Sequence, residues 1–334
     1  MEKNYNILLI NFGGIGDEIL FLPVIKSLKK RYGNSKITLC LEPRSRSIKD
    51  LCPEIDNLIF ADIKSDRKYF EMLKLYFKAL FGKYDIVISS GANSFIPLLL
   101  FFTGIKTKIG YKNHSFTSNL LTEAVDLNKN QYAGKMYHDL VQNFTNEKYS
   151  DPEIFVEKSE KTKDMILIHP GVSMMSIKKN IIKNHGNKKW AELVKKLLQN
   201  GFRVCLAGGP DDKECIEEIL SEIKDVDCQN LYNAYGKTKN LKELAELIAG
   251  SRVVICSDSA PMHISIASNT KTIAIFGPTD EKKLVPEKDN IKIIKANAFC
   301  RPCLWDKRQT SCETRECLNI ETNDIINAVK DFLP

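Results

Sequence analysis

No apolar run in the 334 residues is long enough to cross a bilayer. The longest, Phe95 to Phe102 (FIPLLLFF), falls short of the roughly 20 residues that a hydrocarbon core of about 30 Å requires, and its Pro97 suits a helix start. Nor is a secretory leader expected: Met1 to Phe12 runs into a glycine-rich turn instead of a small-residue cleavage site, which points to a cytoplasmic location. Without such a leader the ten cysteines are not expected to form a disulfide framework, because cytosolic thiols stay reduced. Nor is there an extreme charge bias. The chain has 49 basic and 42 acidic residues, a net +7, and its 43% hydrophobic and 27% charged content excludes a disordered, collagenous or fibrous chain. The mild basic excess, with a pI of about 8.7, suits anionic partners such as phosphates, anionic lipid or nucleic acid.

What is present is a repeating alternation. Short apolar segments (residues 6–11, 36–41, 57–62 and 85–90, then 165–170, 203–208, 253–258, 272–277 and 291–296) have the look of buried parallel strands. Helical patterns lie between or after them at Ile19 to Tyr32, Lys68 to Phe81, Lys189 to Asn200, Lys239 to Ala249 and Asn323 to Phe332. At roughly 150 residues per domain the length suits two domains, and the polar stretch Asn146 to Lys163 is the natural linker. The expectation is two α/β domains, 1–150 and 151–334, with parallel sheets whose carboxyl ends share a cleft.

Two strand–turn–helix segments carry the chemistry. In ILLINFGGIGDEILFLPVIKSLKKRYG, Gly13, Gly14 and Gly16 let backbone approach a ligand closely. A dinucleotide fingerprint fails there, because its third glycine position is Ile19 and Asp17 would oppose a pyrophosphate; only Glu42, ending the second strand, supports a nicotinamide cofactor. Asp17 has two roles open to it: capping the helix start, or accepting a proton from a substrate hydroxyl. In VVICSDSAPMHISIASNTKTIAIFGPTD a strand ends at Asp258 and a helix begins around Ser259 to Pro261. The N–H groups of Ser259, Ala260, Met262 and His263 would form an anion site suited to phosphate, and Asp258 could bond sugar hydroxyls or simply cap the helix.

With HPGVS (169–173), LAGGPDD (206–212) and YGKTKNLKELAELI (235–248) in order between them, these segments resemble glycosyltransferase family 9, the bacterial heptosyltransferases, over nearly the whole chain. Ala260 departs from the family's usual glycine. The resemblance implies a GT-B architecture of two Rossmann-like domains facing a central cleft, with the acceptor on the N-terminal domain and the nucleotide sugar on the C-terminal one. It implies inverting transfer of a heptose from an ADP-sugar, with Asp17 as general base and no cofactor or metal required for transfer. A lysine after HPG-x-S should stabilise the diphosphate; Lys183 takes that place, His185 stands where a tryptophan is usual, and Lys178 and Lys188 are alternatives. Gly171, Ser173, Gly208 and Asp258 through His263 would bind the donor, and His169 would line its pocket. Gly13, Gly14, Gly16, Arg44 and Arg46, with Lys49 nearby, would face an anionic acceptor. That acceptor is open among lipopolysaccharide core, another glycan, a lipid-linked group and a protein serine, as is the donor's base; peripheral contact with the inner membrane accompanies it.

Cys300, Cys303, Cys312 and Cys317 read C-x2-C-x8-C-x4-C, either a structural zinc or iron site or four reduced cysteines in a loop. The other six cysteines are scattered. Asp225-Val226-Asp227 could pass for a metal-binding D-x-D but sits on a polar connector and is expected at the surface. The apolar excess of Lys68 to Phe81 is assigned first to core, with a membrane-facing patch as the alternative. Two rival functions remain: a sugar-nucleotide epimerase or hydrolase of the same fold, and a cysteine-metal module binding nucleic acid. The latter draws on Trp305, Arg301, Lys307 and Arg308 but lacks interleaved aromatics, so nucleic acid is not an expected partner. His114 and His138 receive no role.

Overall fold

A computed structural model describes residues 4–113, 116–178, 181, 183–304 and 312–333. His114, Trp305, Lys307 and Arg308 lie outside the described residues. The chain divides into two compact units, Met1–Glu153 and Ile154–Pro334.

Unit 1 contains strands β1 (Asn6–Ile10), β2 (Lys36–Leu41), β3 (Asn57–Phe60), β4 (Ile86–Ser89), β5 (Thr107–Tyr111) and β6 (Glu123–Val125). They form one parallel sheet in the order β3-β2-β1-β4-β5-β6, with Leu9 of β1 opposite Leu39 of β2 and Ile88 of β4. Its helices are α1 (Ile15–Arg31), α2 (Lys68–Phe81), α3 (Phe95–Phe101) and α4 (Ala133–Thr145). Unit 2 repeats the plan with β7 (Met165–His169), β8 (Arg203–Leu206), β9 (Leu231–Asn233), β10 (Val253–Ser257), β11 (Thr272–Phe276) and β12 (Ile291–Lys295), in the order β12-β11-β10-β7-β8-β9. Its helices are α5 (Met174–Lys178), α6 (Asn187–Gln199), α7 (Lys213–Glu222), α8 (Leu241–Gly250), α9 (Ala260–Ala267), α10 (Glu281–Leu284) and α11 (Thr322–Phe332).

The central strands form because β-branched and other apolar residues can be covered on both faces by crossover helices. Every residue of β7, β10 and β11 is buried, and Trp190 of α6 and Val329 of α11 are wholly enclosed in the unit 2 core. Cys40, Cys205 and Cys256 sit in strands as small buried apolar groups, and burial pushes each thiol above its ordinary range. Three strands had no sequence signal. β6 and β9 are three-residue, half-buried edge strands, and β5 carries Thr107 and Lys108 at its half-buried start.

α2 departs from the core assignment. Only Leu75 and Ala79 are buried, while Tyr69, Phe70, Leu73, Phe77 and Phe81 stand exposed, because one narrow stripe suffices to seat the helix. In both sheets the strand order reverses between the first strand and the fourth, β1/β4 and β7/β10. In open parallel sheets ligands bind beyond the carboxyl ends of the strands at that reversal. There the glycine-rich turn follows β1, His169 ends β7, and Asp258 follows β10.

Candidate active site

In unit 1 the turn after β1 is held by its own carboxylates. α1 begins at Ile15, earlier than its apolar periodicity suggests, so Gly16 lies in its first turn and Asp17 is its third residue. The Gly14 N–H donates to Asp17 Oδ2 (2.8 Å), which satisfies a helix-start donor and places negative charge at the positive end of the dipole. Asp17 itself is exposed. A Cβ on Gly13 would lie 2.2 Å from Asp17 Cβ, so glycine is needed for this approach. The Ser45 hydroxyl fixes the turn from the other side by donating to the Gly13 carbonyl (2.9 Å). Glu42, the residue that favoured a nicotinamide cofactor, is buried and already paired with Arg44 (Nε to Oε2, 2.7 Å) and Lys64 (Nζ to Oε1, 2.5 Å). Arg44 lies beside the turn, its Nη1 3.6 Å from where a Cβ on Gly14 would be, and Arg46 is exposed on the same 3₁₀ segment, Pro43–Asp50.

Sequence reasoning missed Glu18. Its side chain is buried under the turn, Oε1 accepts from the Gly13 N–H (3.4 Å), and Oε2 has no hydrogen-bond partner. Burial raises its pKa to about 8, aided by the charges of Asp17 and Glu42 and opposed by Asn11 and the Gly13 N–H. The signal was an acid opening the apolar run ILFLPVI.

In unit 2 the centre is Asp258, buried at the end of β10. Its Oδ2 accepts from Lys183 Nζ (2.7 Å) and from the Thr279 hydroxyl (2.6 Å). Burial alone would raise the Asp258 pKa, but the charge and hydrogen bond of Lys183, the Thr279 hydroxyl and the nearby His263 outweigh it and hold the pKa below the usual carboxylate value. Lys178 and Lys188, the alternative lysines, are exposed. Thr279 comes from the FGPTD turn after β11. His185 is buried edge-on to Trp190, ring centres 5.7 Å apart, and burial together with the Lys189 charge lowers its pKa to about 4.

The start of α9 needs one correction. The Met262 N–H donates to the Ser259 carbonyl (3.1 Å), and its side chain, like Pro261 and His263, is buried, so of the four donors expected to face a ligand Met262 is committed within the helix. Ser259 and Ala260 keep their place at the helix entrance, and the Ser259 hydroxyl donates to the Ser257 carbonyl (3.3 Å). Ala260 is not among the residues at positive φ, so its methyl is accommodated without backbone strain.

Around β7 and β8 the expected donor-binding glycines pack against Asp212, another residue sequence reasoning passed over. A Cβ on Gly171 would fall 1.8 Å from Asp212 Oδ1, and one on Gly208 3.0 Å from Asp212 Cβ. The Gly209 N–H donates to Asp212 Oδ2 (2.8 Å), and the buried His169 ring stands 3.7 Å from the same oxygen. The motif repeats the unit 1 turn: Gly13-Gly14-x-x-Asp17 and Gly208-Gly209-x-x-Asp212 have the same spacing and the same N–H to carboxylate bond. Ser173 is exposed and accepts from the Ser176 N–H (3.2 Å), capping α5.

Cys300, Cys303, Cys312 and Cys317 line one pocket of about 330 Å³ with Pro278 and Leu318. Among the described residues no group of three or more His, Cys, Asp or Glu is placed to hold a metal ion. Arg301 and Cys303 of this segment brace the FGPTD turn. The Cys303 N–H donates to the Pro278 carbonyl (2.8 Å), and Arg301 bonds the Gly277 carbonyl (2.9 Å), the Thr279 carbonyl (3.2 Å) and Glu281 (2.9 Å). Asp225 and Asp227 are exposed in a turn.

Two parallel sheets of Rossmann-like strand order, each with chemistry-bearing residues at its reversal point, define the GT-B class of fold. Residues 73–313 match the profile of glycosyltransferase family 9 (heptosyltransferase), and the chain belongs to that family. It is 26% identical to lipopolysaccharide heptosyltransferase 3 of Escherichia coli K12 over 334 residues, covering 96% of this chain and 95% of that protein. Its fold is similar to that of E. coli ADP-heptose lps heptosyltransferase II (TM-score 0.75, 21% identity, 98% of each chain covered). It is similar also to E. coli heptosyltransferase WaaC with ADP-2-deoxy-2-fluoro heptose (TM-score 0.72, 17% identity, 98% and 99% covered).

Two stability measurements follow. Because the folded-state pKa of Glu18 is raised, its ionisation costs stability as pH climbs from about 4.5 toward about 8. Glu18→Gln should match the parent in chemical denaturation at pH 5 and exceed it at pH 8 by on the order of 2–4 kcal/mol; a pH-independent difference would contradict this. Lys183→Met should cost about 2–4 kcal/mol at pH 8 by stranding a buried carboxylate, less at pH 5 where Asp258 can take up a proton, and much of the loss should return in the Lys183→Met, Asp258→Asn double variant. Additive losses would show that the pair is not coupled.

Proposed function

We propose that this protein transfers a heptose from ADP-heptose to a lipopolysaccharide core or related anionic glycan, with inversion at the anomeric carbon. The observation that carries this is the Lys183–Asp258–Thr279 cluster at the end of β10, beside the start of α9, in a family 9 chain. A similar enzyme is named a lipopolysaccharide heptosyltransferase, and a structure of the same fold is described with ADP-2-deoxy-2-fluoro heptose.

In this account Asp17 takes the proton of an acceptor hydroxyl as that oxygen attacks the anomeric carbon. The bond from that carbon to the diphosphate oxygen breaks, and its electron pair leaves with ADP. Negative charge then grows on the diphosphate, where the Lys183 ammonium, oriented by Asp258, and the N–H groups of Ser259 and Ala260 would stabilise it. Gly171 and Gly208 keep backbone close to Asp212 in the donor unit, and Arg44 and Arg46 would pair with anionic groups of the acceptor. The four-cysteine segment acts through structure, holding the turn that presents Thr279. Action on a lipid-linked acceptor would place the enzyme at the cytoplasmic face of the inner membrane.

Asp17→Asn separates the two roles of that residue. An Asn side-chain oxygen still accepts from the Gly14 N–H, so stability should change by less than about 1 kcal/mol. Proton acceptance is lost, and kcat should fall by roughly 10²–10⁴ with the Kd for ADP unchanged. Undiminished turnover of ADP-heptose with lipopolysaccharide core would remove Asp17 as the base. Consumption or isomerisation of donor without acceptor would favour an epimerase or hydrolase.

A further inference from the structure

Ten of the fourteen large apolar side chains that stand exposed among the described residues lie between Phe60 and Phe102, all in unit 1. Nine of the ten belong to α2, α3 and Phe102 just after α3. On α2, Phe70, Leu73, Phe77 and Phe81 recur at helical spacing and are 63%, 52%, 46% and 73% exposed, on the side away from the buried Leu75 and Ala79. Phe77 and Phe81 stack with ring centres 6.1 Å apart. On α3, Phe95, Leu98 and Phe101 are three residues apart and likewise exposed. The Tyr76 hydroxyl donates to the Phe102 carbonyl (3.4 Å), tying α2 to the end of α3. A contiguous apolar surface of this kind marks an interface.

The surrounding charge selects the partner. Residues 64–106 contain seven basic and three acidic side chains, and no acid occurs between Ile86 and Thr122. Lys68, Lys74 and Lys78 rise from α2 itself and are exposed. Two such faces from two copies would bring like charges together, whereas an anionic bilayer supplies both counter-charge and an apolar layer. At 14 residues α2 is about 21 Å long, too short to span a hydrocarbon core of about 30 Å but suited to lying in the headgroup plane.

We infer that α2 and α3 together form a docking face for an anionic lipid bilayer, with the aromatic stripe turned toward the acyl chains and the lysines toward the headgroups. The face lies outside the residues assigned to the transfer reaction, and the inference does not rest on that reaction. It is tested with the full chain, without donor or acceptor, by co-sedimentation with phosphatidylcholine vesicles that contain or lack phosphatidylglycerol. The protein should sediment with the anionic vesicles and bind pure phosphatidylcholine on the order of tenfold more weakly. Phe77→Ser with Phe81→Ser should weaken binding by roughly tenfold or more, and Lys74→Glu with Lys78→Glu should abolish the preference for phosphatidylglycerol. Unchanged circular dichroism and ADP binding would confirm that the variants are folded. No vesicle binding, or binding indifferent to both pairs of substitutions, would overturn the inference. Self-association of the parent chain that the Phe77→Ser, Phe81→Ser variant loses, without vesicle binding, would assign the face to a second copy instead.

Discussion

The buried carboxylate of Asp258 is the constraint on which the unit 2 site depends. A charge at the carboxyl end of a central strand, removed from water, is tolerated only when it is paired and hydrogen-bonded. Lys183 supplies the counter-charge from the loop after α5, and Thr279 supplies a hydroxyl from the turn after β11. One carboxylate therefore draws two distant loops to a single strand end. The packing of Arg301 and Cys303 against the same turn extends this dependence to the four-cysteine segment.

Unit 1 uses carboxylates differently. Asp17 is exposed and holds the Gly14 N–H, while its neighbour Glu18 is enclosed and driven toward the neutral form by burial. Adjacent acids in contrasting environments are well suited to separate tasks, proton acceptance at the surface and support of the turn beneath. The Gly-Gly-x-x-Asp turn recurs around Asp212, but there the aspartate is buried beside His169 and packs against Gly171. The same local geometry thus yields an exposed candidate base in one unit and a structural brace in the other.

The fold was legible wherever strands were buried on both faces, because continuous apolar runs record double coverage; β1, β7, β10 and β11 are examples. The short edge strands β6 and β9 left no such record, since partial exposure relaxes the demand for apolar residues. Asp17, Lys183 and Asp258 were named as candidates from motif position. Thr279, Glu18 and Asp212 were not, because their importance comes from what tertiary packing sets against them. The apolar composition of α2 was visible, but composition alone does not record which side of a helix faces the sheet. The cysteine spacing was equally visible, and what it left open was whether four thiols near one pocket would form a coordination set.

The most direct test of the central claim is calorimetric titration of ADP and AMP into the parent protein and the Lys183→Met variant. If Lys183 binds the diphosphate, the parent should prefer ADP to AMP by on the order of tenfold or more, and the variant should lose most of that preference while still binding AMP. Equal preference for ADP in both proteins, or no binding of either nucleotide to the parent, would contradict the account.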